Sequence, residues 1–369
     1  MTCCTLTLEK ATSFRGEQHI THLLLSPRVE IKEIDQMKKP CKDDHKYELV
    51  DFDYLPNYLK DNEFILSYYR SEWPWKQTFL SLFSIHNETL NIWTHLIGFF
   101  IFLALTACAV SMVPFGSQPE LNRIHESSNQ NNISVISLNS IDHMISSSFN
   151  WYLPTYLEKE IINEAVQGAV TRWPFYAYLV GAMICLFTSS ACHLLSCHSE
   201  HCAYTMLRLD YSGISTLIVT SFYPLVYYTF LCEPFYRNLY IGFITAFGIA
   251  TVLVSLLPVF QTPEFRSVRA LLFFCMGVSG LVPIMHKVFA FGDEPVAMIT
   301  TAYELVMGLF YGIGVIVYVA RVPERWMPGK FDLIGHSHQL FHVLVIAGAY
   351  THYLASVMYL NWRDLDGQC

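Results

Sequence analysis

The chain has 369 residues, of which 53% are hydrophobic and only 15% are charged, and its formal net charge is −8. A composition this apolar argues against soluble globular domains and indicates a protein that folds in lipid. The acidic balance also argues against a nucleic-acid partner.

Seven apolar runs are long enough to cross a hydrocarbon core of about 30 Å, which takes about 20 helical residues. The third run is the least apolar, because it carries Asp210 at its start and Pro224 within it, although proline is tolerated in a membrane helix when neighbours satisfy the freed backbone groups. The sequence therefore predicts an all-α integral membrane protein built as a seven-helix bundle. The predicted helices cover residues 90–113, 174–195, 209–231, 238–258, 268–290, 296–320 and 337–360.

Three segments flank or interrupt this membrane domain of residues 75–360. Residues 1–74 are polar and rich in both acids and bases, which predicts a partly disordered arm, and from Tyr54 onwards aromatic residues at roughly helical spacing suit an amphipathic segment at the membrane interface. A long loop, residues 114–173, contains an Asn- and Ser-rich run and the glycosylation sequon at Asn132. A short tail covers residues 361–369.

The distribution of Lys and Arg predicts the orientation of the chain. If the N-terminus is cytosolic, seventeen of the 23 basic residues face the cytosol, and the short later loops agree at six against two. Cytosolic loops collect Lys and Arg. The sequence therefore predicts a cytosolic N-terminus, an outer C-terminus and an outer loop 114–173.

Four ionisable residues lie at predicted helix ends, where a charge in the membrane is costly. Each has a plain structural reading: His193 as an interfacial histidine, Asp210 as a carboxylate favoured by the dipole of a helix's first turn, and His338 with His342 as boundary residues. His338 and His342 are four residues apart, so both imidazoles project from one helical face.

The predicted topology places all four residues at the cytosolic ends of the second, third and seventh helices. Three histidines with an open position for water are typical of a catalytic zinc site. The sequence therefore predicts a Zn²⁺ centre formed by His193, His338 and His342, in which Asp210 holds or deprotonates zinc-bound water.

Two other polar clusters compete with this centre. The stretch ACHLLSCHSEHC, residues 191–202, is rich in ligand types, but its cysteines recur every five residues and point in different directions on a helix. On the first helix, Glu88, Asn91 and His95 form a polar stripe. Such a stripe is expected to make hydrogen bonds between helices.

Several separated motifs together resemble the progestin and adipoQ receptor family, which includes the adiponectin receptors. They are SIHNETLNIWTH, SSACHLLSCHS, RLDYSG, RVPERWMPGKFD and GHSHQLFHVL. With its long outer loop and VTRWPFYAY, the chain is most similar to the plant heptahelical transmembrane proteins. The resemblance implies a zinc ion on His193, His338 and His342, with Asp210 holding its water. It adds Ser189, from an S-x-x-x-H pattern shared with alkaline ceramidases, as a group that orients water or an oxyanion.

The resemblance implies a receptor in hormone, lipid or stress signalling, at the plasma membrane or an endomembrane. An alternative is a zinc-dependent, ceramidase-like hydrolase of lipid amides whose product is the signal. The expected partners are a ceramide-like membrane lipid or an unidentified extracellular ligand, together with unidentified cytosolic signalling proteins. A pore is disfavoured, because the polar groups cluster at one end of the helices.

Overall fold

The computed structural model describes residues 47–111 and 170–366, and these residues are predominantly helical. Residues 1–46, most of the loop 114–173 with its Asn132 sequon, and residues 367–369 lie outside the described part. The described helices are α1 (Trp75–Leu80), α2 (Thr89–Ser111), α3 (Trp173–Leu195), α4 (Glu200–Thr229), α5 (Pro234–Ser255), α6 (Arg266–Val278), α7 (Leu281–Ala290), α8 (Pro295–Ala320) and α9 (Ser337–Asp366).

Every predicted membrane helix has a counterpart, and two of them differ in form. The predicted fifth helix is two helices, α6 and α7, separated at Ser279 and Gly280. The break follows from Pro283, which has no N–H to donate to the carbonyl of Ser279. The third helix begins at Glu200, nine residues before the predicted start, because the Ser199 side chain caps it by accepting from the backbone N–H of Cys202.

Within the described ranges, six helical stretches are apolar and long enough to cross a membrane by length and composition alone. The one long described helix outside this set is α4, whose first three turns include Arg208 and Asp210. It still runs alongside the whole of α3. At one end the Cys202 thiol donates to the Leu195 carbonyl over 3.4 Å. In the middle, Gly213 lies so close to α3 that an added Cβ would be 3.0 Å from Cys185 Cα, and at the other end the Tyr228 hydroxyl donates to the Thr171 carbonyl over 3.0 Å. Thus α4 is the seventh membrane helix.

We call the end of the bundle where α3 ends and α9 begins the histidine end. Residues 47–73, here called the N-terminal segment, pack there and bury Leu55, Ile65 and Tyr69 against one another. The segment contains two short 3-10 turns, and residues Tyr68 and Glu72 have positive φ. The expected helical periodicity from Tyr54 onwards therefore produces only one short helix, α1.

The apolar face that the sequence predicted after Tyr54 is present on α1 and the turn that follows it. Its exposed members are Trp75, Phe79, Leu80, Phe83 and Ile85. The main core lies between α2, α3, α4 and α9, with Phe102, Tyr178 and Val226 fully buried in it. This core holds the histidine-bearing ends of α3 and α9 side by side.

Candidate metal centre

Three histidines from two helices meet at the histidine end. His193 is in the last turn of α3, and His338 and His342 are in the first two turns of α9. One ring nitrogen from each lies within 4.8 Å of the other two, and the ring centroids are 4.8 to 4.9 Å apart. The structure thus brings together the three residues that the sequence predicts as metal ligands.

His193 is oriented by a carboxylate from α2's entry. Its Nδ1 lies 2.7 Å from Glu88 Oε2, which also accepts from Asn91 Nδ2 over 2.6 Å. With Nδ1–H donating to Glu88, Nε2 carries the lone pair. This Nε2 is buried and has no hydrogen-bond partner among the described residues.

Glu88 is itself fixed by a neutral imidazole. The backbone N–H of Glu88 donates to His86 Nδ1 over 3.1 Å, and His86 Nε2 lies 3.2 Å from the Ser81 carbonyl. Burial lowers the pKa of His86 to about 3, so this ring stays neutral and its Nδ1 can accept. The residue whose carboxylate orients His193 is therefore held in place through its backbone N–H.

His342 is oriented by α2. Its Nδ1 lies 3.1 Å from the Asn91 carbonyl and 3.3 Å from Thr94 Oγ1. Donation from Nδ1–H to the carbonyl leaves the lone pair of the ring on Nε2. His95, also on α2, stacks on the His342 ring with centroids 3.6 Å apart and planes inclined by 10°.

His338 completes the trio from the side of α8. Its ring packs edge-on against Tyr318 at 5.2 Å between centroids, and the Arg266 guanidinium lies over the same tyrosine ring at 3.9 Å. Neighbouring His336 stays outside the group, with Nε2 3.5 Å from the Asn87 carbonyl.

Asp210 and Ser189 face each other across α4 and α3, close to His193. The close approach at Gly213 and Cys185 explains the pairing, because antiparallel helices that touch there bring Asp210 opposite Ser189 one turn further along. Ser189 is buried. The Asp210 Oδ1 atom is also buried, and within the described part of the chain it has no hydrogen-bond partner.

This placement corrects one structural reading of Asp210. Because α4 begins at Glu200, Asp210 lies in the third turn of the helix and gains little from the helix dipole, whose effect fades within the first turn. A buried carboxylate oxygen with an unused acceptor site is costly. Stabilisation by the helix dipole therefore does not explain why a carboxylate lies at position 210.

The chemistry of the donor set fits zinc. Three imidazoles with a nearby carboxylate suit Zn²⁺ better than Ca²⁺ or Mg²⁺, which prefer oxygen ligands. A tetrahedral zinc with bonds of about 2.1 Å places its ligand atoms about 3.4 Å apart. The three nitrogens are within about 1.5 Å of that spacing, which side-chain rotation spans. The unpartnered His193 Nε2 is the strongest sign that a ligand belongs here.

The rival cluster of residues 191–202 does not assemble. His198 Nδ1 lies 2.8 Å from the Trp73 carbonyl, and its ring lies 3.9 Å from that of Trp75. The Cys197 thiol donates to the Leu194 carbonyl. Among the described residues, His193, His338 and His342 form the one group with metal-binding spacing.

Sequence reasoning gave no site role to four residues that touch the histidines: Glu88, Asn91, Thr94 and His95. Three of them belong to the polar stripe of the first helix, for which hydrogen bonds between helices were expected. That expectation is confirmed for Glu88, which bonds His193 of α3. The polar stripe was the feature of the sequence that could have identified these residues. Which residues the stripe contacts depends on how α2 packs against α3 and α9.

These observations define the class of protein: a multi-pass, all-α membrane protein with a histidine centre capable of binding metal at one end of a seven-helix bundle. A family model described as "Haemolysin-III related" matches residues 83–353. The chain belongs to this family, which is also that of the progestin and adipoQ receptors.

Proteins from plants and an insect are similar over most of the chain. Heptahelical transmembrane protein 4 of Arabidopsis thaliana is 55% identical over 87% of this chain and 91% of its own length. Heptahelical transmembrane protein ADIPOR3 of Oryza sativa subsp. japonica is 50% identical over 90% and 95%. The adiponectin receptor protein of Drosophila melanogaster is 33% identical over 85% of this chain and 60% of its own length.

Proposed function

We propose that the protein is an adiponectin-receptor-like membrane receptor with a Zn²⁺ centre near the cytosolic face, acting in hormone, lipid or stress signalling. The observation that carries the metal is the meeting of His193, His338 and His342, with His193 Nε2 buried and unpartnered in the described structure. The name of the Drosophila relative supports the receptor role. The signal is an extracellular ligand or a membrane lipid, and the output passes to cytosolic signalling partners.

The cytosolic position of the histidine end is supported by the distribution of charge. In the described part of the chain, Lys and Arg are concentrated at the histidine end, as expected of a cytosolic face. Glycosylation mapping tests this orientation: we expect modification at Asn132 and none at Asn87, which is buried. Modification at Asn87 would overturn the orientation.

Metal analysis of the purified protein tests the centre. We expect about one Zn²⁺ per chain in the wild type, and loss of that zinc in His338→Ala, because two imidazoles remain where three are needed. The matched control is His286→Ala, since His286 lies at the opposite end and hydrogen-bonds Tyr240. Unchanged zinc in His338→Ala, with a folded protein, contradicts the three-histidine centre.

A second function, hydrolysis of a ceramide-like lipid amide, is favoured by one specific observation. Asp210 Oδ1 is buried without a partner in the described part of the chain, next to Ser189 and His193. When bound, zinc supplies Lewis-acid activation of an amide carbonyl and of water. Asp210 would then take the proton from the attacking water, and the Ser189 hydroxyl would orient that water or the oxyanion. The lipid product would be the signal.

Turnover of ceramide by wild type and Asp210→Asn separates the two functions. For a hydrolase, we expect Asp210→Asn to keep its zinc and lose about 10²- to 10⁴-fold in turnover, the usual contribution of a general base. Thr251→Val is a control, because Thr251 is another buried side chain with an unpartnered polar atom in the described structure but lies on α5. Wild-type protein that holds zinc and hydrolyses no lipid amide supports the receptor function alone.

A further inference from the structure

One stretch of the N-terminal segment touches both helix ends that carry the histidines. The stretch is residues 62–70, here called the strap. Its two ends reach different targets: Arg70 binds the end of α3, and Asn62 binds a network at the start of α9. These helices carry His193 on one side and the pair His338 and His342 on the other.

At the first end, Arg70 caps α3 beside the metal centre. Its NH2 group donates to the His193 carbonyl over 2.7 Å, and its NH1 group donates to the Leu194 carbonyl over 3.1 Å. The last carbonyls of a helix have no partner within the helix. A charged donor at this position makes strong hydrogen bonds and complements the negative end of the helix dipole.

Arg70 is held rigidly while it does this. The residue is only 3% exposed, and its NH1 group also donates to Ser81 Oγ over 2.5 Å. Close to it, the backbone N–H of Asn87 donates to the Tyr68 carbonyl over 3.0 Å. Thus Arg70 connects the backbone of His193, a predicted ligand, to Ser81, in the segment that leads into Glu88 and α2.

At the other end, Asn62 and Glu324 fix the first residue of α9. Asn62 Nδ2 donates to Glu324 Oε1 over 3.0 Å. The Glu324 carboxylate, which is fully buried, accepts from the Ser337 backbone N–H over 2.8 Å and from the Ser337 hydroxyl. A carboxylate at a helix N-terminus satisfies free N–H groups there. Ser337 immediately precedes His338.

The middle of the strap is attached to the loop between α8 and α9. The backbone N–H of Leu66 donates to Asp332 Oδ1 over 3.0 Å, and the Gly329 N–H donates to the Phe64 carbonyl over 3.1 Å. The strap therefore cannot slide relative to the start of α9 without breaking these hydrogen bonds.

We propose that the strap sets the separation of His193 from the pair His338 and His342, with Arg70 and Asn62 as positioning residues for the metal centre. The proposal rests on the proposed zinc site. Two rigid helices supply the ligands, and the strap fixes both of their ends at once. Groups that orient metal ligands in this indirect way change metal affinity about 10- to 100-fold when they are removed.

The test compares two buried arginines that both cap helix ends. Arg70→Gln removes the cap at the metal centre. Arg363→Gln is the matched control, because Arg363 is 6% exposed and donates to the Tyr228 and Thr229 carbonyls at the end of α4, on the opposite side of the membrane. For wild type and both variants we measure thermal unfolding, zinc affinity by chelator competition, and the visible absorption spectrum of the Co²⁺-substituted protein, which reports ligand geometry.

We expect both variants to unfold at a lower temperature, and only Arg70→Gln to lose about 10- to 100-fold in zinc affinity and to change the Co²⁺ spectrum. Arg70→Lys, which can still donate to a carbonyl, should recover part of the affinity. If Arg70→Gln does not fold, Asn62→Leu breaks the other end of the strap, and the same loss is expected.

Wild-type affinity and spectrum in Arg70→Gln or Asn62→Leu would overturn the proposal. An equal loss of zinc in Arg70→Gln and Arg363→Gln would do so as well, because it would reflect weaker folding in general. A wild-type protein that binds no metal would overturn the proposed zinc centre itself, which is a different result from zinc binding that is indifferent to the strap.

Discussion

Two buried sets of ionisable groups, one toward each end of the helix bundle, differ in whether their hydrogen bonds are all made. At the end away from the histidines, Lys287 Nζ donates to Glu304 Oε2 over 2.7 Å, to Thr300 Oγ1 over 3.2 Å and to the Tyr359 hydroxyl, which donates to the other oxygen of Glu304. At the histidine end, His193 Nε2 and Asp210 Oδ1 lack partners among the described residues.

The difference separates a structural network from a binding site. An ammonium group has three N–H donors, and all three of Lys287 are used, so the network has no donor left for a ligand. Its members come from α7, α8 and α9, and the network therefore fastens the second half of the broken fifth helix to its neighbours. At the histidine end, hydrogen bonds through Nδ1 hold the rings of His193 and His342 in place. Their other ring nitrogens remain available to a metal or to water.

Breaking the lysine network should have the largest effect on stability. Lys287→Met leaves Glu304 buried without its charge partner, and we expect a loss of about 3–5 kcal/mol in the free energy of unfolding. Thermal or denaturant unfolding in detergent measures this. Protein that still folds should keep its zinc, because the network makes no contact with the histidines.

The double variant Lys287→Met with Glu304→Leu is the control for this prediction. Removing both charges together leaves no unpaired ion, so a substantial part of the lost stability should return. A double variant no more stable than Lys287→Met would contradict the assignment of the network as a paired structural unit. Loss of zinc in folded Lys287→Met would contradict the separation of the two ends.

Removing the carboxylate behind His193 should have an intermediate effect, on metal affinity more than on folding. Glu88→Ala removes the acceptor that fixes the His193 ring, and we expect about 100-fold weaker zinc binding, while Glu88→Gln keeps an acceptor oxygen and should lose about 10-fold. Chelator competition measures both. Glu264→Gln is the control, since Glu264 is an exposed carboxylate. Equal affinity in Glu88→Ala and wild type would show that Glu88 does not support the site.

The features that the sequence predicts well are those that depend on residues close together in the chain. Apolar runs predict all seven membrane helices, since each must span the same hydrocarbon thickness. The spacing of His338 and His342 predicts one shared helix face. The gathering of His193 with them follows once the direction of each helix is known, because the end of the second membrane helix and the start of the seventh lie on the same side of the membrane.

The features that the sequence does not predict depend on contacts between distant residues. The early start of α4 depends on the Ser199 cap, which moves Asp210 from the first turn of the helix into its third. The role of Glu88 depends on a bond to a residue on another helix, and the strap depends on Arg70 and Asn62 reaching helix ends far along the chain. No local periodicity encodes these pairings.

The smallest effect is expected where the sequence is richest in ligand types. Cys197 and Cys202 are buried, and their thiols donate to the carbonyls of Leu194 and Leu195. These are packing contacts, so Cys197→Ala and Cys202→Ala should lower stability by about 1 kcal/mol each and leave zinc content unchanged. Metal analysis beside unfolding curves checks this, with His338→Ala as the positive control. Loss of zinc in either cysteine variant, in protein that still folds, would move the metal centre from the three histidines into residues 191–202.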